Sequence, residues 1–286
     1  MEPKTTDICL LEDISSVEEF LRSEFHASSN KLKKHFKKSF LGMSFVKRNI
    51  LSLPIDFVND GEINPSYEGQ LISVIHEDED FFVFSKNPNQ FIHPLTYSES
   101  DNCLSYIRQT RPDLLAVNVE NYDRGLLYRL DYETSGVVIY AKTTELYKKL
   151  RENFNTIAKE KIYLCWVDGN MSLTGPFVHY FNSGEAKGKR VKVSDKEDFG
   201  MRGELSLRPL EHNKALNMTL VEVKLKSGLR HQIRAQMAHL GFPLKGDKFY
   251  GGSEASRLYL HASTYKIDLG SKQLIFHSES HNFNGL

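Results

Sequence analysis

The chain has 286 residues, 40% hydrophobic and 26% charged, which suits a large domain with a small one and a core that needs no covalent staples. Its 37 basic and 37 acidic side chains cancel, so no global field of one sign draws it to nucleic acid or to a membrane surface. Cys9, Cys103 and Cys165 are too scattered for a disulfide framework or a CxxC metal site and suit a reducing cytoplasm, while the start of the chain lacks a signal pattern and no apolar run is long enough to span a bilayer.

The first predicted element is a helix capped by Ser15 or Ser16, with Glu18 or Glu19 completing a capping box and Val17, Phe20, Leu21 and Phe25 recurring at helical spacing. A second short helix is expected to carry Leu32, Phe36 and Phe40, with lysines between them. From Lys31 to Arg48 there is no acidic residue, while Lys31, Lys33, Lys34, Lys37, Lys38, Lys47 and Arg48 are basic. Lys187, Lys189, Arg190 and Lys192 form a second basic cluster, and the run Glu77 to Asp80 offsets the charge. Either cluster reads equally as a solvated face or as a track for phosphates. Asn59-Asp60-Gly61 is a turn signal between strand-like pieces, Ile55 to Val58 and Leu71 to Ile75, so residues 1–70 read as a small helix-helix-hairpin unit.

Beyond it, Phe81 to Phe84 and Val137 to Tyr140 read as strands buried on both faces. Leu146, Leu150 and Phe154 mark an amphipathic helix capped by Thr143 or Thr144. Lys161 to Val167 is β-rich, and Val221, Val223 and Leu225 share one side of a strand. Arg230 to Leu240 reads as a helix with Ile233, Met237 and Leu240 as its buried stripe, ended by Gly241 and Pro243. Strands and helices mix without a regular βαβ repeat, which predicts an α+β fold on a mixed, largely antiparallel sheet over residues 71–286.

Three segments carry chemistry. In Tyr128-Arg129-Leu130-Asp131-Tyr132-Glu133-Thr134-Ser135-Gly136, an acid sits in a polar loop that leads into a buried strand, anchored at its base and open at its tip; the same Asp could simply cap the turn. In Lys161 to Val167, Tyr163 shares a face with Cys165 and Val167 and reads as a packed aromatic or a working phenol. In Gly228-Leu229-Arg230-His231-Gln232-Ile233-Arg234, Arg234 lies at the edge of the buried stripe, where it turns inward only if a carboxylate or phosphate receives it, and otherwise snorkels outward.

Together, RLDxxTSG, KxYxxxVxG and GxxHQIRxxxAHxGxPxxGDxxYGG, in that order, resemble the RluA-type RNA pseudouridine synthases. The resemblance runs from about Leu71 to Leu260 and includes a strand pair ending in Ile92-His93-Pro94, ahead of the first motif, and a closing Leu258 to Ala262. Residues 1–70 resemble a degenerate S-four-like RNA-binding domain, with the usual Gly-Asp near its end replaced by Glu68-Gly69. The resemblance implies an isomerase turning uridine into pseudouridine in structured RNA, ribosomal or transfer. Asp131 takes the place of the essential acid, Tyr163 that of the tyrosine packing on the flipped base, and Arg234 that of the arginine pairing with the acid. Arg129 matches the residue that fills the gap left by the flipped nucleotide. Thr134, Arg230 and His231 are expected to bind substrate, and Lys33, Lys34, Lys37 and Lys38 to track phosphates. His231 and Gln232 could touch RNA, but a structural role in positioning the helix is the favoured reading. Two departures, Tyr128 for the usual His and Leu229-Arg230 for the usual Arg-Thr, bear on substrate choice and leave Asp131, Tyr163 and Arg234 untouched.

The implied reaction breaks the N1 glycosidic bond, turns the uracil and rejoins it through C5, so it calls for no cofactor and no metal. The carboxylate either attacks C1′ or removes the C2′ proton, and the sequence leaves both open. The expected partner is RNA, with no membrane, for a cytoplasmic monomer. A catalytically inactive RNA-binding protein of the same fold is the alternative. A glycosidase pairing Asp131 with Glu133 is disfavoured, because two residues apart in one loop they cannot oppose each other across a bond.

Overall fold

The computed structural model describes residues 4–182, 190–270, 272–280 and 283. The chain forms two compact units, Met1–Glu68 with Pro94–Gln109, and Gly69–His93 with Thr110–Leu286.

In the first unit, β1 (Thr5–Cys9) pairs antiparallel with β2 (Ile50–Pro54). Helix α1 (Val17–Glu24) is capped by Ser16, whose hydroxyl accepts the Glu19 N–H, and α2 (Ser29–His35) is capped in the same way by Ser28. Leu21, Leu32, Leu51, Leu53 and Phe57 make the core. The expected second helix is two: the chain is extended at Phe36 and Lys37, and α3 (Lys38–Leu41) follows. Phe36, at the break, packs edge-on against Phe57 at 4.8 Å and stacks on Phe40 at 5.3 Å.

The expected hairpin at Asn59-Asp60-Gly61 does not form. Ile55–Val58 is a helical turn, α4, that buries Phe57, and the Asn59 N–H bonds back to Ile55. Gly61, at φ +84°, ends that turn rather than joining two strands. Of the two strand-like pieces beside the turn signal, Leu71 to Ile75 falls largely in a strand, Ser73–Glu77, while Ile55–Val58 is helical because Phe57 finds its burial among helices. Helix α5 (Cys103–Thr110) completes this unit, with Asn102 accepting the Ser105 N–H.

The second unit is built on a ten-stranded sheet, counted over the described residues. Its strands are β3 (Ser73–Glu77), β4 (Phe81–Lys86), β5 (Ser135–Ala141), β6 (Ala158–Asp168), β7 (Gly175–Asn182), β8 (Lys192–Ser194), β9 (Met201–Asn213), β10 (Met218–Leu225), β11 (Leu260–Asp268) and β12 (Gln273–His277). They lie in the order β3-β4-β5-β11-β6-β10-β9-β7-β8, with β12 beside β11. Only β5 with β11 is parallel among the described pairings, so the sheet is mixed and largely antiparallel, as expected of the α+β reading. Phe81 to Phe84 and Val137 to Tyr140 are buried on both faces, as their unbroken apolar runs predict. Helix α6 (Thr144–Glu152), capped by Thr143, and the short α7 (Phe154–Ile157) lead into β6.

Helix α8 (Gln232–His239) starts two residues later than expected, because His231 sits in the left-handed region at φ 52°. Its residues Gln232 to Met237 are all buried, while Leu240 is only half-buried, so the helix is enclosed on more than the predicted stripe. Gly241, at φ +86°, ends it. No helix among the described residues is long and apolar enough to cross a membrane.

Candidate active site

The loop carrying Asp131 is fixed at both ends. Before it, the Leu127 N–H bonds to the Ile139 carbonyl and the Tyr128 hydroxyl to the Val137 carbonyl, tying the approach to β5. After it, Thr134 and Ser135 are buried, and Gly136 faces Ala262 where β5 runs parallel to β11. Gly136 adopts φ +116°, and a Cβ there would collide with the Ala262 carbonyl, so this close approach demands glycine. The Asp131 carbonyl closes the turn by accepting the Thr134 N–H at 3.1 Å, which leaves the side chain for other contacts.

Those contacts come from α8. Arg234 Nη1 lies 3.1 Å from Glu133 Oε2 and 3.5 Å from Asp131 Oδ2, and His231 Nε2 lies 3.8 Å from Asp131 Oδ1. Asp131 and Glu133 thus meet the same guanidinium nitrogen, which removes the opposed geometry a carboxylate-pair glycosidase needs. The main partner of Arg234 is a third acid. Asp247 takes its Nε and Nη2 at 2.8 and 2.9 Å, with the Arg side chain 3% and the Asp side chain 0% exposed. Burial alone would lower the Arg234 pKa, but the hydrogen bonds and charge of Asp247, with Glu133 and Asp131 behind, raise it well above its ordinary value. The guanidinium is therefore a permanent charge, pre-positioned at the Asp131 carboxylate.

Tyr163, on β6, pairs with Val223 and Ala262 in the sheet and is 6% exposed. Its hydroxyl is 2.6 Å from that of Tyr265, whose ring stacks on Tyr128 at 4.6 Å and 6°. Burial, reinforced by the Asp131 charge, pushes the Tyr163 pKa up to about 12, against a smaller opposing effect of the Tyr265 hydrogen bond. Burial also lowers the His231 pKa, with Asp131 opposing, and Nδ1 of this ring meets the Tyr250 hydroxyl at 3.0 Å. At neutral pH the site therefore holds a neutral phenol and a neutral imidazole beside the acid.

Arg129, Asp131, Thr134, Tyr163, His231 and Arg234 all line one cavity of about 70 Å³. A roomier cavity of about 490 Å³ shares Arg129, Tyr163, Leu225 and Leu229 with it and adds Tyr128, Phe154, Lys161 and Tyr265. The small one holds Asp131, His231 and Arg234, and the larger one has the size for a nucleoside. The Arg129 side chain is 67% exposed at their shared rim, 4.0 Å from Asp123. Arg230 is exposed and lines neither cavity. Gln232 accepts from the Leu229 N–H and the Ser227 hydroxyl and donates to the Glu204 carbonyl, which is a structural role.

Lys33, Lys34, Lys37 and Lys38 belong to the first unit, where all four are exposed and make no ion pair among the described residues. Of the other basic cluster, Lys187 and Lys189 lie outside the described residues. Asp247 stands in the motif GxxHQIRxxxAHxGxPxxGDxxYGG with no role assigned to it there. The signal that could have found it is the need of an inward-turned Arg234 for a carboxylate, since each buried charge needs the other.

His179, Asp195 and His239 bring possible ligand atoms within 4.8 Å of one another. Gln236 Nε2 donates to His179 Nδ1 at 2.7 Å, which leaves the ring proton on Nε2, facing Asp195 at 3.5 Å. A protonated Nε2 on His179 offers no lone pair to a metal, and the Asp195 carboxylate is hydrogen-bonded by His239 Nε2 at 3.2 Å.

Residues 80–239 match the RNA pseudouridylate synthase family. Ribosomal large subunit pseudouridine synthase D of Borreliella burgdorferi is 32% identical over 212 residues, 70% of this chain and 62% of that protein. The protein of the same name from Pseudomonas aeruginosa is 30% identical over 181 residues, 63% of this chain and 54% of its own length. The matches thus span less than two thirds of these relatives. Among solved structures, Human RNA Pseudouridylate Synthase Domain Containing 1 superposes with a TM-score of 0.61 at 21% identity, covering 74% of this chain and 86% of that one. Human RNA Pseudouridylate Synthase Domain Containing 4 gives 0.55 at 16%, over 74% and 89%. These two likenesses concern the fold alone.

Proposed function

The chain belongs to the RNA pseudouridylate synthase family, of the RluA type, and from that premise we propose that it isomerises uridine to pseudouridine in RNA. The observation that carries the reading is the Asp131 carboxylate in a small cavity that shares Arg129, Tyr163, Leu225 and Leu229 with a nucleoside-sized one, 3.5 Å from a guanidinium that Asp247 holds in place.

The target base must leave its stack, at a cost of about a few kcal/mol. Arg129, exposed at the rim, fills the vacated position. Tyr163 packs on the extruded uracil, and Tyr128, Phe154 and Tyr265 close the apolar side of the cavity. Asp131 then acts at the ribose, as nucleophile at C1′ or as base at the C2′ proton. The N1–C1′ bond breaks, the uracil turns within the pocket, C5 bonds to C1′, and the C5 proton passes to a base and then to solvent. The neutral phenol of Tyr163 can relay that proton. Arg234 keeps the carboxylate oriented throughout, and the enclosed pocket keeps the detached uracil from escaping.

The substrate we favour is ribosomal RNA over transfer RNA, because the relatives carry ribosomal large-subunit names. Lys33, Lys34, Lys37 and Lys38 supply phosphate contacts from the S-four-like unit, and the chain works in the cytoplasm. Incubating the protein with RNA tritiated at uracil C5 tests the activity. Release of tritium to water is expected from ribosomal RNA. Binding without release from any cellular RNA would make the chain an inactive RNA binder, and release of free uracil would make it a hydrolase.

A further inference from the structure

Arg234 also lines a third cavity, of about 520 Å³, whose wall carries Glu133, Arg190, Lys248 and Arg257. Arg257 is the unusual member. Its Nε donates to the Leu258 carbonyl at 3.1 Å and its Nη2 to the Ser135 hydroxyl at 2.5 Å. Its guanidinium lies 5.8 Å from the ring of Tyr259 and 5.7 Å from that of Phe283. No carboxylate among the described residues is within ion-pair distance of it, and burial lowers its pKa. Arg190 likewise pairs with no acid there and sits over Phe249 at 5.4 Å. Lys248 has only the exposed Glu254, at 2.7 Å, a pair that contributes little. The one carboxylate on the wall, Glu133, is already engaged by Arg234 at 3.1 Å.

A half-buried guanidinium without a counter-charge costs free energy that an arriving anion repays. We infer that this cavity receives a phosphodiester of the RNA, beside the nucleotide whose ribose meets Asp131. The inference rests on the isomerase reading for its choice of ligand. Arg234 lines both this cavity and the small one that holds Asp131, so a strand whose ribose sits at Asp131 brings its next phosphate within reach of Arg257 and Arg190. Such contacts set register on the RNA without reading a base.

The test uses the whole chain with R257Q, R190Q and the charge-keeping R257K, and a stem-loop RNA cut from the modified region. Affinity is read by fluorescence anisotropy over a range of salt, separately from tritium release, so that binding without turnover would sink the isomerase reading and still decide this one. Each glutamine variant is expected to weaken binding roughly ten-fold and to lower the salt slope by about one, with R257K recovering most of the loss. A neutral methylphosphonate in place of a phosphate flanking the target should weaken the wild type equally and leave R257Q unchanged. Exposed Arg190 carries the same test should R257Q lose its fold. Wild-type affinity in folded variants, or methylphosphonate and R257Q losses that multiply, would overturn the inference. So would a site that takes inorganic phosphate, seen as a raised wild-type Tm, while the methylphosphonate has no effect.

Discussion

Arg234 forks onto Asp247 through Nε and Nη2 at 2.8 and 2.9 Å and leaves only Nη1 for Asp131, at 3.5 Å. Asp247 anchors the guanidinium, and Asp131 shares the remaining nitrogen with Glu133, which lies nearer at 3.1 Å.

Removing the anchor should therefore cost fold and function together. Asp247→Ala leaves a charge at 3% exposure without its main partner, and should destabilise the chain by about 3–5 kcal/mol. Urea denaturation reads this directly, and tritium release should fall with it. A small loss of stability would mean that Glu133 and Asp131 suffice to hold Arg234.

Asp131→Asn preserves shape and removes the charge. Turnover should drop by roughly 10³-fold or more while RNA affinity stays within about two-fold. Substantial residual tritium release would move the chemistry to another group.

The pH profile should be asymmetric. Burial holds the His231 pKa below its ordinary 6.5, so the unfolded chain takes up the proton first, and stability from this residue is whole above pH 6.5 and lost as pH falls. In the folded chain a protonated His231 would also draw Asp131 from 3.8 Å. Turnover should decline on the acid side, and His231→Gln should flatten that limb. On the alkaline side, a Tyr163 pKa of about 12 predicts no loss of rate from this phenol up to pH 10. An alkaline limb that disappears in Tyr163→Phe would contradict this.

Gly136→Ala should destabilise by more than about 1 kcal/mol, because φ +116° and the Ala262 carbonyl both oppose a side chain. Thermal denaturation checks it. Since Gly136 ends the Asp131 loop, turnover in the folded fraction should fall as well.

Neutralising Lys33, Lys34, Lys37 and Lys38 together should weaken RNA binding and lower its salt slope by up to about four. An unaltered slope would return these exposed side chains to the role of a solvated face.

Much of this protein was legible without coordinates. Phe81 to Phe84 and Val137 to Tyr140 announce buried strands by composition, Ser16 and Thr143 are among the residues that announce helix starts by the hydrogen bonds they can make, and Asp131, Tyr163 and Arg234 stand out by ordered motifs. These signals are local, so a few residues suffice to carry them. What tertiary structure alone decided is long-range. Ile55 to Val58 became a helical turn because Phe57 found its burial among helices. Asp247 became the anchor of Arg234, and Tyr265 the partner of Tyr163, because α8, β6 and β11 bring together residues separated by 13 and 102 positions. Local pattern tells a side chain whether it is to be buried; only the assembled fold says which partner meets it there.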